Sequence, residues 1–439
     1  MRRTLLTTLG IIALALAAGT GYQRYRGAIL PVVGGRPIGS VIEAPLASHD
    51  SATFARFAIN RCRFLAGDFR KACYEELLLA SVERHQIRLA MDGLSIISRQ
   101  DPATQAYGHD LTHVVGINAW SPGDSVGLVY DACTGLFQSG CYHGVVQAVL
   151  DAQGTDSATV YRLCNQIPVA TTNAWLRFQC VHGIGHGLVN NLAMHLPNAL
   201  AGCDWLIREW DATSCYGGAF MEFIVAARGQ SHHPHKKAAP TAQEHDHGDH
   251  DMASAAPDSF PARNRNDPLY PCSVLAPKYQ SACYGMQAGI IIEIVGSDFG
   301  KIAKACDRAP LGMRPACYQG VGTYLTGFVV RNHQKAIDNC AKGNPAYQPW
   351  CYVGVVKNLI DVTALPEDGL TFCARITDRA IAVACYNAVG EQISILYPNF
   401  DQREAACAKA PAEYRPAVRY GASLIGERPP ELTPFVPTA

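Results

Sequence analysis

Apolar residues recur along most of this chain at three- and four-residue steps, in short paired blocks separated by polar or proline-bearing turns. One unit shows the pattern clearly. Its first block ends in Ile302-Ala303-Lys304-Ala305-Cys306, and Pro310 to Pro315 form the turn. Its second block opens with Cys317-Tyr318-Gln319-Gly320-Val321-Gly322-Thr323-Tyr324-Leu325. This spacing predicts two helices folded back on each other. Cys283, Cys317, Cys351 and Cys385 stand 34 residues apart, and Cys73, Tyr107 and Cys141 keep the same step. A tyrosine follows the second cysteine at Tyr74, Tyr142, Tyr216, Tyr284, Tyr318, Tyr352 and Tyr386. A glycine comes three positions after it at Gly144, Gly183, Gly218, Gly320 and Gly354. A 34-residue period carrying two short helices predicts an all-α solenoid of about ten helix-turn-helix repeats.

The 17 cysteines fit this register. Eight sequential pairs emerge: Cys62/Cys73, Cys133/Cys141, Cys164/Cys180, Cys203/Cys215, Cys272/Cys283, Cys306/Cys317, Cys340/Cys351 and Cys373/Cys385. No CxxC spacing of a zinc knuckle occurs, so structural disulfides within repeats are expected. Each would close a short loop and stabilise by roughly 2–3 kcal/mol in the chain-entropy model. Cys407 is left over, because the place of its partner is taken by Val418.

The stretch Ala316-Cys317-Tyr318-Gln319-Gly320-Val321-Gly322-Thr323-Tyr324-Leu325-Thr326-Gly327 resembles the second half of a cysteine-rich Sel1-like repeat, a relative of the tetratricopeptide repeats. The resemblance extends over most of residues 52–428. It implies a disulfide-stapled α-solenoid and carries over no functional residue. In that family the cysteines stand closer together and the glycine one position later.

The ends of the chain are of a different kind. Residues 1–26 begin with Arg2-Arg3 and an apolar run from Leu5 to Ala18, predicting a signal peptide or an N-terminal membrane anchor. Residues 27–51 are expected to be a linker and residues 429–439 a C-terminal tail. Either reading of the N-terminus places the repeats outside the cytoplasm, periplasmic or anchored in the inner membrane, with the membrane touched only by that first segment. Lys+Arg and Asp+Glu are equal at 37 each, so no nucleic-acid partner is expected.

One interval breaks the period: Cys215 to Cys283 spans 68 residues. The extra material, 230–266, has no apolar period and predicts a disordered inserted loop. It concentrates His232, His233, His235, His245, His247 and His250 with Glu244, Asp246, Asp249, Asp251 and Met252. Such a composition suits a low-affinity metal collector, or else a polar linker.

Candidate chemistry is centred on Cys180-Val181-His182-Gly183-Ile184-Gly185-His186-Gly187. On a helix the two histidines share one face, while Cys180 lies about 200° away from His182. Counting along the 34-residue ladder aligns His109, His143 and His182, and one turn later His113, Gln147 and His186, with Met221 next in that row. The same places farther along are Gly285, Gln319, Val353 and Asn387, then Gly289, Thr323, Lys357 and Glu391, so the repeat itself does not require histidine. His109, His113, His143, His182 and His186 are therefore the candidate metal ligands. Asp110 and Glu222 could supply a carboxylate or accept a ring N–H, with Gln147 and Met221 beside them. His85, His195 and His333 are expected to be ordinary core or surface residues. A nitrogen-rich set favours copper or zinc, with iron requiring the carboxylates.

These features point first to an exported metal-binding protein used for metal carriage or handling. A metal-dependent enzyme using the same histidines is a second reading, although no HExxH, phosphate loop or nucleophile motif occurs. A disulfide-stapled scaffold that binds a protein partner on its solenoid face is the third.

Overall fold

The computed structural model describes residues 32–33, 36–227, 260–329, 332–363, 365–397 and 399–432. They form 22 α-helices and a single pair of two-residue strands, Val32–Val33 with Arg36–Pro37. The fold is the expected all-α helical repeat array. Residues 1–26 and the loop histidines lie outside the described residues. Among the described residues no helix is long and apolar enough to cross a membrane.

The chain forms two compact units that divide after Thr104. In the first, Ser51–Cys62 starts where Asp50 accepts the N–H groups of Ala52 and Thr53, and it buries Phe54, Ala55, Ala58 and Ile59. Gly93 on Ile87–Gln100 lets Phe54 lie against the helix backbone: a Cβ there would stand 2.5 Å from the ring. The tyrosine of this repeat is a structural strut, since Tyr74 donates its hydroxyl to Asp101 at 2.8 Å. One expectation fails here. The supposed linker 27–51 contains the helix Ile38–Ala47, whose Ile42 and Leu46 are fully buried. Two apolar residues one turn apart sufficed to hold it, despite Pro45 in its last turns.

The second unit, from Gln105 onward, carries the regular array. All eight sequential disulfides are formed, with Cα–Cα separations of 5.5–5.8 Å. The first belongs to the N-terminal unit and the other seven to this one. The staple sits where a short helix ends: Cys203, Cys306, Cys340 and Cys373 are each the last helical residue. The chain turns, and the partner lies in the first half of a longer helix such as Glu209–Ala227 or Gln348–Thr363. Eight bridges fit an oxidising, exported environment. The array bends back on itself, because Gln138 donates its side-chain amide to Asn358.

The long helices pack through glycines at fixed places. A Cβ on Gly185, Gly322 or Gly390 would lie 2.0–2.1 Å from the carbonyl oxygen of Cys215, Cys351 or Val418 on the second helix of the next repeat. Each of these glycines stands five positions after its own cysteine. The reciprocal glycines Gly218, Gly354 and Gly421 stand three positions after Cys215, Cys351 and Val418. A Cβ on them would meet the carbonyls of His182, Gln319 and Asn387 at 1.9–2.1 Å. Val418 thus occupies the geometric place of a cysteine, and Cys407 is free, buried, and pushed up to about 11 by that burial. We expect Val418→Cys to close a ninth disulfide and to add roughly 2–3 kcal/mol. Thiol titration of the denatured variant should then find none where the parent chain has one; a persistent pair of thiols would refute the register.

The same rule corrects the histidine alignment. Gly116 is the glycine facing the Cys141 carbonyl, at 2.0 Å from its Cβ position, and Gly144 faces the His113 carbonyl at 2.4 Å. Counting back five places makes Leu111, not Tyr107, the counterpart of a second cysteine. Tyr107 caps the helix Gly108–Ala119 from outside, after the 3-10 turn Pro102–Ala106. The chain has slipped by one helical turn because close packing at the glycine, not residue count, fixes the register. His113, His143 and His182 therefore share one row, with His109 a turn before it and His186 a turn after.

The expected loop 230–266 is described only from Phe260 onward. Phe260 stacks on Tyr270 at 5.9 Å and approaches Phe223 at 6.3 Å, so this end is packed.

Candidate metal centre

Three consecutive long helices, Gly108–Ala119, Gly140–Gln153 and Ala174–Asn191, contribute the five histidines. The neighbouring helix Glu209–Ala227 backs them. Glycine contacts between these helices bring the side chains together, and Arg177 locks the last two. Its guanidinium donates to both carboxylate oxygens of buried Asp211 at 2.6–3.0 Å, and to Asn165 at 3.1 Å.

The rings form one continuous cluster. His143 is central, with centroids 6.0 Å from His109, 5.6 Å from His113, 4.9 Å from His182 and 5.1 Å from His186. His109 and His113 are 4.9 Å apart, and His182 and His186 are 5.1 Å apart. His113 and His186 approach to 5.2 Å although four α-helices separate theirs in sequence. Four of the rings are buried, His113 and His186 completely, while His109 is only half-buried. Two sets of three are close enough to share a metal ion: His109, His113 and His143, and His143, His182 and His186. Within each set the potential donor atoms lie within 4.8 Å of one another.

Four of the five rings are oriented from behind. His109 Nδ1 bonds the Phe137 carbonyl at 2.7 Å, His143 Nε2 bonds Gln179 Oε1 at 3.0 Å, and His186 Nδ1 bonds Glu222 Oε2 at 2.7 Å. His182 bonds the Ser214 backbone. A neutral imidazole that donates from one nitrogen carries its lone pair on the other. That tautomer selection by a carbonyl or carboxylate is the arrangement found behind metal-bound histidines. His143 Nδ1, His182 Nδ1 and both amide atoms of Gln147 are buried without a hydrogen-bond partner. So many unsatisfied polar atoms in two adjacent helices form an expensive interior unless a polar ligand engages them. Burial, reinforced by the neighbouring imidazoles, holds His143 and His182 well below the ordinary imidazole range. They are neutral, as ligands must be.

The positioning residues Phe137, Gln179 and Ser214 escape sequence reasoning. Phe137, Gln138 and Ser139 all have φ between 50° and 64°, a left-handed run that costs roughly 1–2 kcal/mol per residue. It places the Phe137 carbonyl on His109, and no glycine marks it. Glu222 had a legible signal. In later repeats the residue seven places after the second cysteine bridges to the preceding helix: Asn358 donates to the Thr323 carbonyl at 3.0 Å and Gln392 to the Lys357 carbonyl at 3.3 Å. Glu222 occupies that place and reaches the His186 ring instead. Asp110, on the helix of His109 and His113, and Met221, on Glu209–Ala227, are half-buried. His333 lies away from the cluster, edge-on to Phe372, and His195 caps the helix Leu196–Cys203.

No protein-family model, curated protein or solved structure matches this chain. The likeness to Sel1-like repeats therefore stays at the level of the repeat unit.

Proposed function

We propose that this is an exported metal-binding protein whose five-histidine cluster holds a transition-metal ion for carriage or handling. The observation that carries the reading is the pair of three-histidine sets with donor atoms within 4.8 Å, four of the five rings braced from behind. A scaffold has no use for stacked, buried imidazoles. Nitrogen donors backed by a single carboxylate favour zinc or copper over magnesium or calcium. The chain's own residues bind the ion, orient the rings and exclude water. The loop histidines His232, His233, His235, His245, His247 and His250 would add a weaker collecting segment. A metal-dependent enzyme built on the same centre is the second reading, favoured by the buried Gln147 amide, which could orient a small ligand.

Elemental analysis of the purified full-length chain tests the proposal. His182→Ala and His186→Ala are expected to lose the tightly held metal, and His333→Ala to keep it. Acid gives an independent check. Protons compete for an imidazole near its pKa, and those of His143 and His182 are depressed below the free value of 6.5. The centre should therefore retain its ion as pH falls through 6.5, where ordinary exposed histidines release theirs. Equal metal content in all three variants, or complete release already above that pH, would remove the site.

A further inference from the structure

Within the metal-binding reading, one ring is asked to serve twice. His143 belongs to both three-histidine sets. Its Nε2 is engaged with the Gln179 side-chain oxygen at 3.0 Å, which assigns the ring proton to that nitrogen. A single lone pair, on Nδ1, remains for an ion. Using both nitrogens on two ions would require stripping the second proton and breaking the Gln179 bond, both inside a buried site. The two sets also differ in surroundings. The one with His109 includes the only half-exposed ring of the five, whereas His143, His182 and His186 are all buried, with Glu222 behind His186.

We propose that the two sets are successive seats for one divalent ion. The ion enters at His109, His113 and His143, then exchanges His109 and His113 for His182 and His186 while His143 keeps hold of it. His113 and His186 at 5.2 Å, with His143 beside both, make the exchange a displacement of a few ångströms in which nitrogen donors are present throughout. The balance is simple: one coordination bond forms as one breaks, and no electron or proton moves. The inner seat is the storage position because a carboxylate on the far nitrogen strengthens the donor. The outer seat controls the rate of entry and exit.

Zn²⁺ tests this in the full-length chain with the six loop histidines replaced by asparagine, so that only the cluster is read. The parent should bind one Zn²⁺ per chain by elemental analysis. The His109→Ala/His113→Ala variant should still bind one, but load it several-fold more slowly and surrender it several-fold more slowly to a chromogenic chelator. The His182→Ala/His186→Ala variant should bind one more weakly and release it faster. His109→Gln, at a half-exposed place, repeats the loading measurement if the double variant does not fold. Two Zn²⁺ per parent chain, or an unchanged loading rate in the His109 variants, would overturn the shared-seat proposal while leaving the metal centre intact. A parent chain that takes neither Zn²⁺ nor Cu²⁺ would overturn the metal reading itself and the two seats with it.

Discussion

Gly218→Ala is expected to destabilise the protein by about 1–3 kcal/mol, with more if the helices cannot part. The new Cβ would stand 1.9 Å from the carbonyl oxygen of His182, whereas real Cβ contacts lie beyond 3.0 Å. The obstacle is backbone, so no rotamer change relieves it, and the two helices must separate by about an ångström. That carbonyl belongs to a candidate ligand. Separation moves His182 relative to the Ser214 backbone it bonds, and pulls Glu222 from His186, so metal affinity should fall together with the melting temperature. Gly285→Ala is the control. Nothing lies within 4 Å of its Cβ position, and a helical glycine replaced by alanine gains roughly 0.5–1 kcal/mol. Thermal melts of the two variants should shift in opposite directions. A Gly218→Ala melt at or above the parent's would show that the glycine contacts do not set the helix spacing.

How much of this was legible in the sequence follows from which forces act locally. The cysteine pairs and the turn between Cys306 and Cys317 depend on residues a few positions apart, and the spacing gave them correctly. The helix-to-helix register is a tertiary property. The count from Tyr107 placed His109 opposite His143, but the Gly116 contact with Cys141 moves the alignment by one turn and puts His113 there. The glycines were visible as a recurring feature, and matching Gly116 to Gly185 and Gly322 would have revealed the slip. The rings behind which Gln179, Ser214 and the Phe137 carbonyl stand could not have been assigned such partners. Two of those three contacts are made by backbone groups, which every residue possesses. The helix Ile38–Ala47 was missed for the opposite reason: Pro45 and the flanking glycines outweighed Ile42 and Leu46, which tertiary burial then secured.

Glu222→Gln should weaken the metal centre by about 10–100-fold while leaving the fold unharmed. Glu222 is fully buried, as is His186, and its Oε2 lies 2.7 Å from His186 Nδ1. Through that bond it fixes the tautomer, leaving Nε2 as the donor, and its charge raises the basicity of the ring. Glutamine preserves the shape and can still accept the ring N–H, but it removes the charge. The metal-free protein should respond in the other direction. A buried carboxylate costs free energy that an amide largely avoids, so the apo variant should melt at or above the parent. Opposed signs are what separate a residue that serves a metal from one that merely holds two helices together. If Glu222 were only structural, stability and affinity would fall in step. Zn²⁺ titration and melting of the apo chain read the two quantities separately. An apo melting temperature lowered as steeply as the affinity would assign Glu222 to the fold and withdraw it from the centre.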